Sequence, residues 1–408
     1  MAGKILVGVK VLELCGLVAG PYCAKLLADL GADTIKIEPP GSGDEARGRG
    51  PFPRKVAHAE KSGLFLYVNT NKRGITLDVR AEAGRQIFRK LVDWSDILIE
   101  DNPPREMEEM NLRYQDLKAL NPGLIMISIT PFGQTGPYRD YKAYPLNSFH
   151  AGGEPMLMYL MSPPTDRAPV NAPSFMGEYD SGLCAAEAAL VALYVRGAGG
   201  PGQHVDISKQ ESAIALDRLE NVLYHNREKE ETKEMIQAAA QGYGMVGGLL
   251  SCKDGYVVLA AMQDNQWEGL VDLMGHPEWM RDEKYSTELN RAINAREATA
   301  KVQEWMSERT MREIFRGGQK RGVPVGSVNS PEDLIHTPQL RMRGFFADIE
   351  HPAAGRIEYP TAPYRFSRTP WSAVRPAPLL GQHNEEIYKG MLGFTEDEIA
   401  ALKQQEII

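Results

Sequence analysis

The chain has 408 residues, more than one ordinary core accommodates, so two domains are expected. Its 43% hydrophobic and 25% charged content fits a globular protein rather than a disordered one. A net charge of −8 gives no bulk attraction to nucleic acid or anionic membrane, so an anionic ligand needs a local basic pocket.

Lys10-Val11-Leu12-Glu13-Leu14 reads as a strand. Gly20-Pro21 then opens a helix over 22–30 that Gly31 ends, and Asp33-Thr34-Ile35-Lys36-Ile37-Glu38 is a second strand stopped by Pro39-Pro40. This βαβ unit implies a parallel sheet. The pattern repeats with strands at 74–78, 96–100 and 124–129 and helices at 82–92 and 114–120. A doubly wound sheet follows, with ligands at the carboxyl ends of its strands. Residues 39–61, rich in Gly, Pro and Arg, read as a long loop, and 131–175 as an irregular region. A helix over 182–196, a strand over 203–207 and a helix over 210–227 come next. The charge run at 228–234 reads as a solvated linker and places a boundary. A smaller domain follows, with a strand at 255–261 and helices at 266–274 and 295–309. Pro-rich pieces and a last helix over 397–404 end the chain. Cys15, Cys23, Cys184 and Cys252 form no CxxC pair, so buried free thiols are expected, without a disulfide framework or a metal site. Met1-Ala2-Gly3-Lys4 does not resemble a signal peptide, and no apolar run reaches about 18 residues; a cytoplasmic protein is expected.

Several segments resemble, in order, the class III CoA-transferase family, the CaiB/BaiF group that includes formyl-CoA and carnitine CoA-transferases. They include Val11-Leu12-Glu13-Leu14 with Ala19-Gly20-Pro21, Leu30-Gly31-Ala32-Asp33-Thr34-Ile35-Lys36-Ile37-Glu38, and Gly41-Ser42-Gly43-Asp44. Asn71-Lys72-Arg73-Gly74-Ile75-Thr76-Leu77-Asp78, Phe132-Gly133-Gln134-Thr135-Gly136-Pro137 and Gly202-Gln203-His204-Val205-Asp206-Ile207 follow. Gly322-Val323-Pro324-Val325-Gly326 and Leu380-Gly381-Gln382-His383-Asn384 complete the series. The resemblance implies an α/β fold: a Rossmann-like doubly wound large domain plus a smaller α+β domain, in an interlocked dimer. The large domain is expected over 1–227, the small one over 228–331, and a C-terminal return to the large domain over 332–408.

The implied reaction moves CoA from an acyl-CoA donor to a carboxylic acid. A side-chain carboxylate attacks the thioester to give a mixed anhydride, and the CoA thiolate then forms an enzyme–CoA thioester. CoA is thus a substrate, and no metal is needed. In the family the nucleophile is an aspartate ahead of a helix; the matching residue in Gly177-Glu178-Tyr179-Asp180-Ser181-Gly182 is Glu178, which keeps the carboxylate and adds a methylene. Asp180 reads as a helix N-cap or first-turn acid. CoA contacts fall by the same resemblance on Leu17, Val18, Leu77, Arg80, Asp101 and Asn102. Arg80 is either a phosphate ligand or a solvated arginine at a helix start. Pro39, Asp101, Glu109 and Thr130 stand where relatives carry other residues, several of them basic. Arg47, Arg49, Arg54 and Lys55 of the long loop could compensate. Residues 242–248 match a mobile glycine loop. Met156, Met158, Tyr159 and Met161 could line an acyl pocket or belong to a core.

Three functions remain open on the sequence. One is an active CoA-transferase, with succinyl-CoA as a candidate donor and benzylsuccinate a guess for the acceptor, forming a homodimer or a heterodimer with a paralogous subunit. The second is a catalytically silent partner subunit in a heteromeric member of the kind that succinyl-CoA:benzylsuccinate CoA-transferase represents. The third, an acyl-CoA racemase, needs a His-Asp pair where Tyr144-Pro145 stands. No G-x-G-x-x-G follows the first strand, which argues against a dinucleotide-dependent dehydrogenase.

Overall fold

The apolar runs that predict strands between Lys10 and Ile207 all enter one sheet in the computed structural model, which describes residues 4–155, 168, 171–216, 244–371 and 375–408. The strands are β1 (Lys10–Leu14), β2 (Asp33–Glu38), β3 (Arg73–Thr76), β4 (Ile97–Glu100), β5 (Ile125–Thr130) and β6 (His204–Ser208). They pair in the order β3-β2-β1-β4-β5-β6, all parallel. Parallel neighbours need crossovers. These contain α1 (Ala19–Asp29), α2 (Gly63–Val68), α3 (Glu82–Trp94), α4 (Pro104–Glu109), α5 (Tyr114–Leu117), α6 (Pro145–Ala151) and α7 (Met176–Gly197). Helix α8 (Lys209–Leu216) follows β6.

Successive strand residues point to opposite faces. Leu12, Ile35, Ile75 and Leu98 join Ile87, Phe88 and Leu91 of α3 in one core. Val11, Ile97, Ile99 and Ile127 join Leu27 of α1 and Ala185 and Ala189 of α7 in the other. Helix α7 lies close on α1: a Cβ on Gly182 would stand 2.5 Å from the Ala19 carbonyl oxygen. The chain leaves β1 and β4 in opposite directions, so a crevice opens between them at their carboxyl ends.

Two compact units divide the chain. The second, which includes 244–341, has an antiparallel sheet of β7 (Val246–Cys252), β8 (Gly255–Ala261) and β9 (Val325–Ser327). Helices α9 (Asp264–Met274), α10 (Ala295–Ser307) and α11 (Met311–Gln319) pack with it around Val257, Leu259, Leu270, Val302 and Ile314. From Met342 the chain belongs again to the unit of the parallel sheet. There the hairpin β10 (Phe346–His351) and β11 (Gly355–Pro360) buries Ile349 and Tyr359 with Val18, Ala46 and Phe65, and α12 (Glu396–Gln404) follows.

Some local expectations shift. The helix expected from residue 182 begins at Met176, because Ser174 (φ 58°) and Phe175 (φ 62°) turn the chain and the Phe175 carbonyl accepts from the Glu178 and Tyr179 N–H groups. Glu178 therefore stands in the first turn, and Asp180 lies beyond the cap rather than at it. Of the glycine segment at 242–248, Gly242 and Tyr243 lie outside the described residues, while Val246, Gly247 and Gly248 open strand β7. A Cβ on Gly247 (φ 132°) would meet the Leu259 carbonyl oxygen at 2.2 Å, so glycine serves a close strand contact there. The long loop at 39–61 holds three 3₁₀ turns and buries Ala46 and Arg47. Met156, Met158, Tyr159 and Met161, the charge run at 228–234 and the later part of the helix expected over 210–227 lie outside the described residues.

Candidate active site

Strand β1 runs into Cys15-Gly16-Leu17-Val18, and two carboxylates fix that exit. Gly16 donates its N–H to both oxygens of Asp101 at 3.2 Å. Leu17, at φ 61°, donates to Asp44 Oδ1 at 2.9 Å. A left-handed leucine costs about 1–2 kcal/mol, and a charge-assisted hydrogen bond offsets it. Asp44 is held in turn by the Ala46 N–H at 2.8 Å and by Lys36 Nζ at 2.7 Å. Lys36 also reaches Glu13 Oε1 at 2.9 Å, and Lys72 takes Glu13 Oε2 at 2.7 Å. All four charged groups are buried, two of each sign. Burial opposes the charge on Lys36, but Asp44 and Glu13 outweigh it and hold the ammonium above its usual value. Lys72, with less compensation, is pushed by burial down to about 8. The charged residues that interrupt apolar β1 and β2 thus form the frame of the loop after β1.

Strand β4 ends beside this loop. Glu100 is buried and accepts the Asn102 N–H at 2.9 Å, while Asn102 Nδ2 donates to the Leu14 carbonyl at 3.2 Å. Burial pushes Glu100 up to about 7. It pushes Asp101 up to about 8, against the opposing pull of Lys209 and the Gly16 N–H.

Glu178 sits in the first turn of α7, where a carboxylate is favoured by the helix dipole. Only 2% of it is exposed. Its Oε2 accepts from Lys209 Nζ at 2.7 Å, and its Oε1 has no partner among the described residues. Gly177 lets Phe149 approach, since a Cβ there would meet the ring at 3.0 Å. Glu178 lines a cleft of about 440 Å³ with Leu17, Glu45, Arg49, Tyr144, Phe149 and Asn171. A carboxylate with one oxygen fixed and the other unpartnered at a cleft can act as a nucleophile toward a carbonyl.

The residues expected at the site divide into groups. Leu17 and Glu178 share the cleft, and Asp101 and Asn102 brace the loop that carries Leu17. Val18 and Leu77 have their side chains in hydrophobic cores. Arg80 follows β3 at the far edge of the sheet, 73% exposed, and pairs with Glu106 at 2.8 Å. Arg47 does not extend to a ligand: its guanidinium is spent on Glu38 (2.6 and 2.8 Å) and Glu60 (2.7 Å) and lies over the Phe65 ring. Arg49 pairs with Glu45 at the cleft, and no ion pair from Arg54 or Lys55 occurs among the described residues. Where a racemase needs its His-Asp pair, Tyr144 lines the cleft and Pro145 starts α6; His150 is exposed, with Nδ1 on the Leu146 carbonyl. Lys209 was not singled out from sequence. Its only signal there is a lysine two residues past a predicted strand. Among the described residues no group of three metal-ligating side chains occurs, and no helix is long and apolar enough to cross a membrane.

A parallel doubly wound sheet with a buried carboxylate lining a cleft beside the loop after β1 defines an α/β protein with a candidate nucleophile. A family profile described as CoA-transferase family III matches residues 6–384, and the chain belongs to that family; it is a CoA-transferase. It is 33% identical over 403 residues to Succinyl-CoA--D-citramalate CoA-transferase of Chloroflexus aurantiacus, covering 98% of this chain and 97% of that protein. It is 32% identical over 407 residues to Succinyl-CoA--L-malate CoA-transferase alpha subunit of the same species, covering 98% and 92%. A crystal structure of a CaiB/BaiF family protein from Brucella suis matches with a TM-score of 0.82 at 30% identity, over 95% of this chain and 99% of that one.

Proposed function

We propose that this chain transfers CoA from an acyl-CoA donor, succinyl-CoA, to a carboxylic acid, with Glu178 as nucleophile. The reaction passes through a Glu178 acyl anhydride and a Glu178–CoA thioester. The observation that carries this reading is the Glu178 carboxylate itself: buried, at a helix start, facing a cleft, with Oε1 unpartnered among the described residues. Two relatives named as succinyl-CoA transferases support the donor. CoA is assigned to Leu17, Val18, Leu77, Arg80, Asp101 and Asn102, with Val18 contributing backbone and Arg80 exchanging Glu106 for phosphate. The domain assignment of 1–227 and 332–408 against 228–331, an interlocked dimer and a cytoplasmic location belong to the same reading.

A second reading is a catalytically silent subunit that interlocks with an active paralogue. It is favoured by glutamate in place of aspartate and by the relative named as an alpha subunit. One experiment separates the two. The chain alone is incubated with succinyl-CoA, trapped with hydroxylamine, and the modified residue mapped by mass spectrometry. The first reading expects a hydroxamate at Glu178 that Glu178→Ala removes. No adduct, with activity appearing only on adding a paralogue and surviving Glu178→Ala, selects the second.

A further inference from the structure

We propose that Lys209 is the electrostatic partner that makes Glu178 work, holding its buried carboxylate ionised and then binding the carbonyl oxygen that remains on Glu178 once it is acylated. The inference rests on Glu178 being the nucleophile. Lys209 is the first residue of α8, directly after Ser208, which pairs with Thr130 in the sheet. Its ammonium is therefore delivered from a fixed strand end, and it contacts Oε2 at 2.7 Å. Glu178 is 2% exposed, so solvent contributes little to stabilising its charge.

The two oxygens of Glu178 differ in a way that suits the reaction. Oε1 is unpartnered among the described residues and is the oxygen able to attack. It forms a C–O bond to the donor carbonyl carbon, the C–S bond breaks, and CoA leaves as a thiolate. That thiolate then attacks the Glu178 acyl carbon, forming a C–S bond, and the donor acid departs as a carboxylate carrying Oε1 with it. Throughout, Oε2 stays on Glu178 beside Lys209. It becomes the oxyanion when the Glu178 carbon is attacked, and an ammonium in place before the reaction stabilises that charge. The acceptor acid runs the sequence in reverse, and no proton is gained or lost overall.

Among the described residues, the other titratable groups around Glu178 do not supply this charge. Asp101, which also feels Lys209, is an acid, as are Asp180 on the same helix and Glu45 across the cleft. Tyr179, and Tyr22 of α1 packed on it, and Tyr144 are phenols. Arg49, on the cleft wall, is paired with Glu45. A purely structural ion pair joining α7 to α8 would affect folding and leave the titration of the reaction unchanged.

The test measures the rate of hydroxamate formation at Glu178 from succinyl-CoA and hydroxylamine between pH 5 and 9, in the wild-type chain and in Lys209→Met, Lys209→Gln and Lys209→Arg. Urea midpoints monitor folding. Lys209→Met is expected to slow labelling at neutral pH about 100-fold and to move the acid limb of the profile upward by about one unit or more. Lys209→Gln, which retains a hydrogen-bond donor without the charge, covers the case in which the methionine variant does not fold, and is expected to move the limb in the same direction. Lys209→Arg is expected to return the limb toward wild type. Folded neutral variants that label at the wild-type rate with an unmoved limb overturn the role of Lys209 while leaving Glu178 as nucleophile. Absence of any Glu178 adduct in the wild-type chain overturns both.

Discussion

Glutamate at position 178 reaches one methylene further than the aspartate that the family pattern places there, and the structure uses that length. The carboxylate spans from the first turn of α7 to Lys209 on α8. Restoring the family residue is therefore expected to harm this chain. Glu178→Asp withdraws the carboxylate from the ammonium by about 1 Å, and such a misplacement costs on the order of 100-fold in rate. Hydroxamate labelling of Glu178→Asp by succinyl-CoA should fall by that factor, with the urea midpoint little changed. A rise in rate would show that the cleft is built around the shorter acid. Glu178 was legible in the sequence because a motif surrounds it. Lys209 was not, because it lies 31 residues away and acquires meaning only when α7 and α8 are brought together.

At the scale of elements, the βαβ pattern was legible because short apolar runs alternate with helical segments, whereas the order β3-β2-β1-β4-β5-β6 is set only on folding, which places β4 beside β1. The interiors of those elements were less legible. Glu13, Lys36 and Glu38 look like interruptions in apolar strands, and the long loop at 39–61 looks solvated. Folding joins them: Lys36 bridges Glu13 and Asp44, and Asp44 holds the left-handed Leu17 at the cleft. Removing Lys36 leaves Asp44 buried without its counter-charge and Glu13 with Lys72 alone, at a cost of about 3–5 kcal/mol. Lys36→Met is expected to lose stability of that size in urea unfolding. It is also expected to raise the KM for acyl-CoA through release of the loop after β1. A variant as stable as wild type would mean that water or rearrangement replaces the ammonium.

At the scale of the whole molecule, topology places a crevice where β1 and β4 diverge, and its position at the carboxyl ends of the strands was legible once a doubly wound sheet was inferred. The protonation state of the crevice was not, because it depends on how deeply β4 is buried. Glu100 ends that strand and Asp101 follows it, with folded-state values of about 7 and 8, above their ordinary 4.5 and 3.8. Folding therefore favours their protonated forms. Their contribution to stability is fully present below the ordinary carboxylate values. It declines as pH rises through that range and is lost once pH passes about 7 for Glu100 and about 8 for Asp101. Urea unfolding between pH 5 and 9 should show stability falling toward the alkaline end and levelling above it. Asp101→Asn has no charge to desolvate and retains an acceptor for the Gly16 N–H, so its curve should be flatter. Near pH 9 the variant should be the more stable protein, and the gap should narrow as pH falls toward 5, where the folded Asp101 is largely protonated. Parallel curves for variant and wild type would show that Asp101 does not carry the dependence.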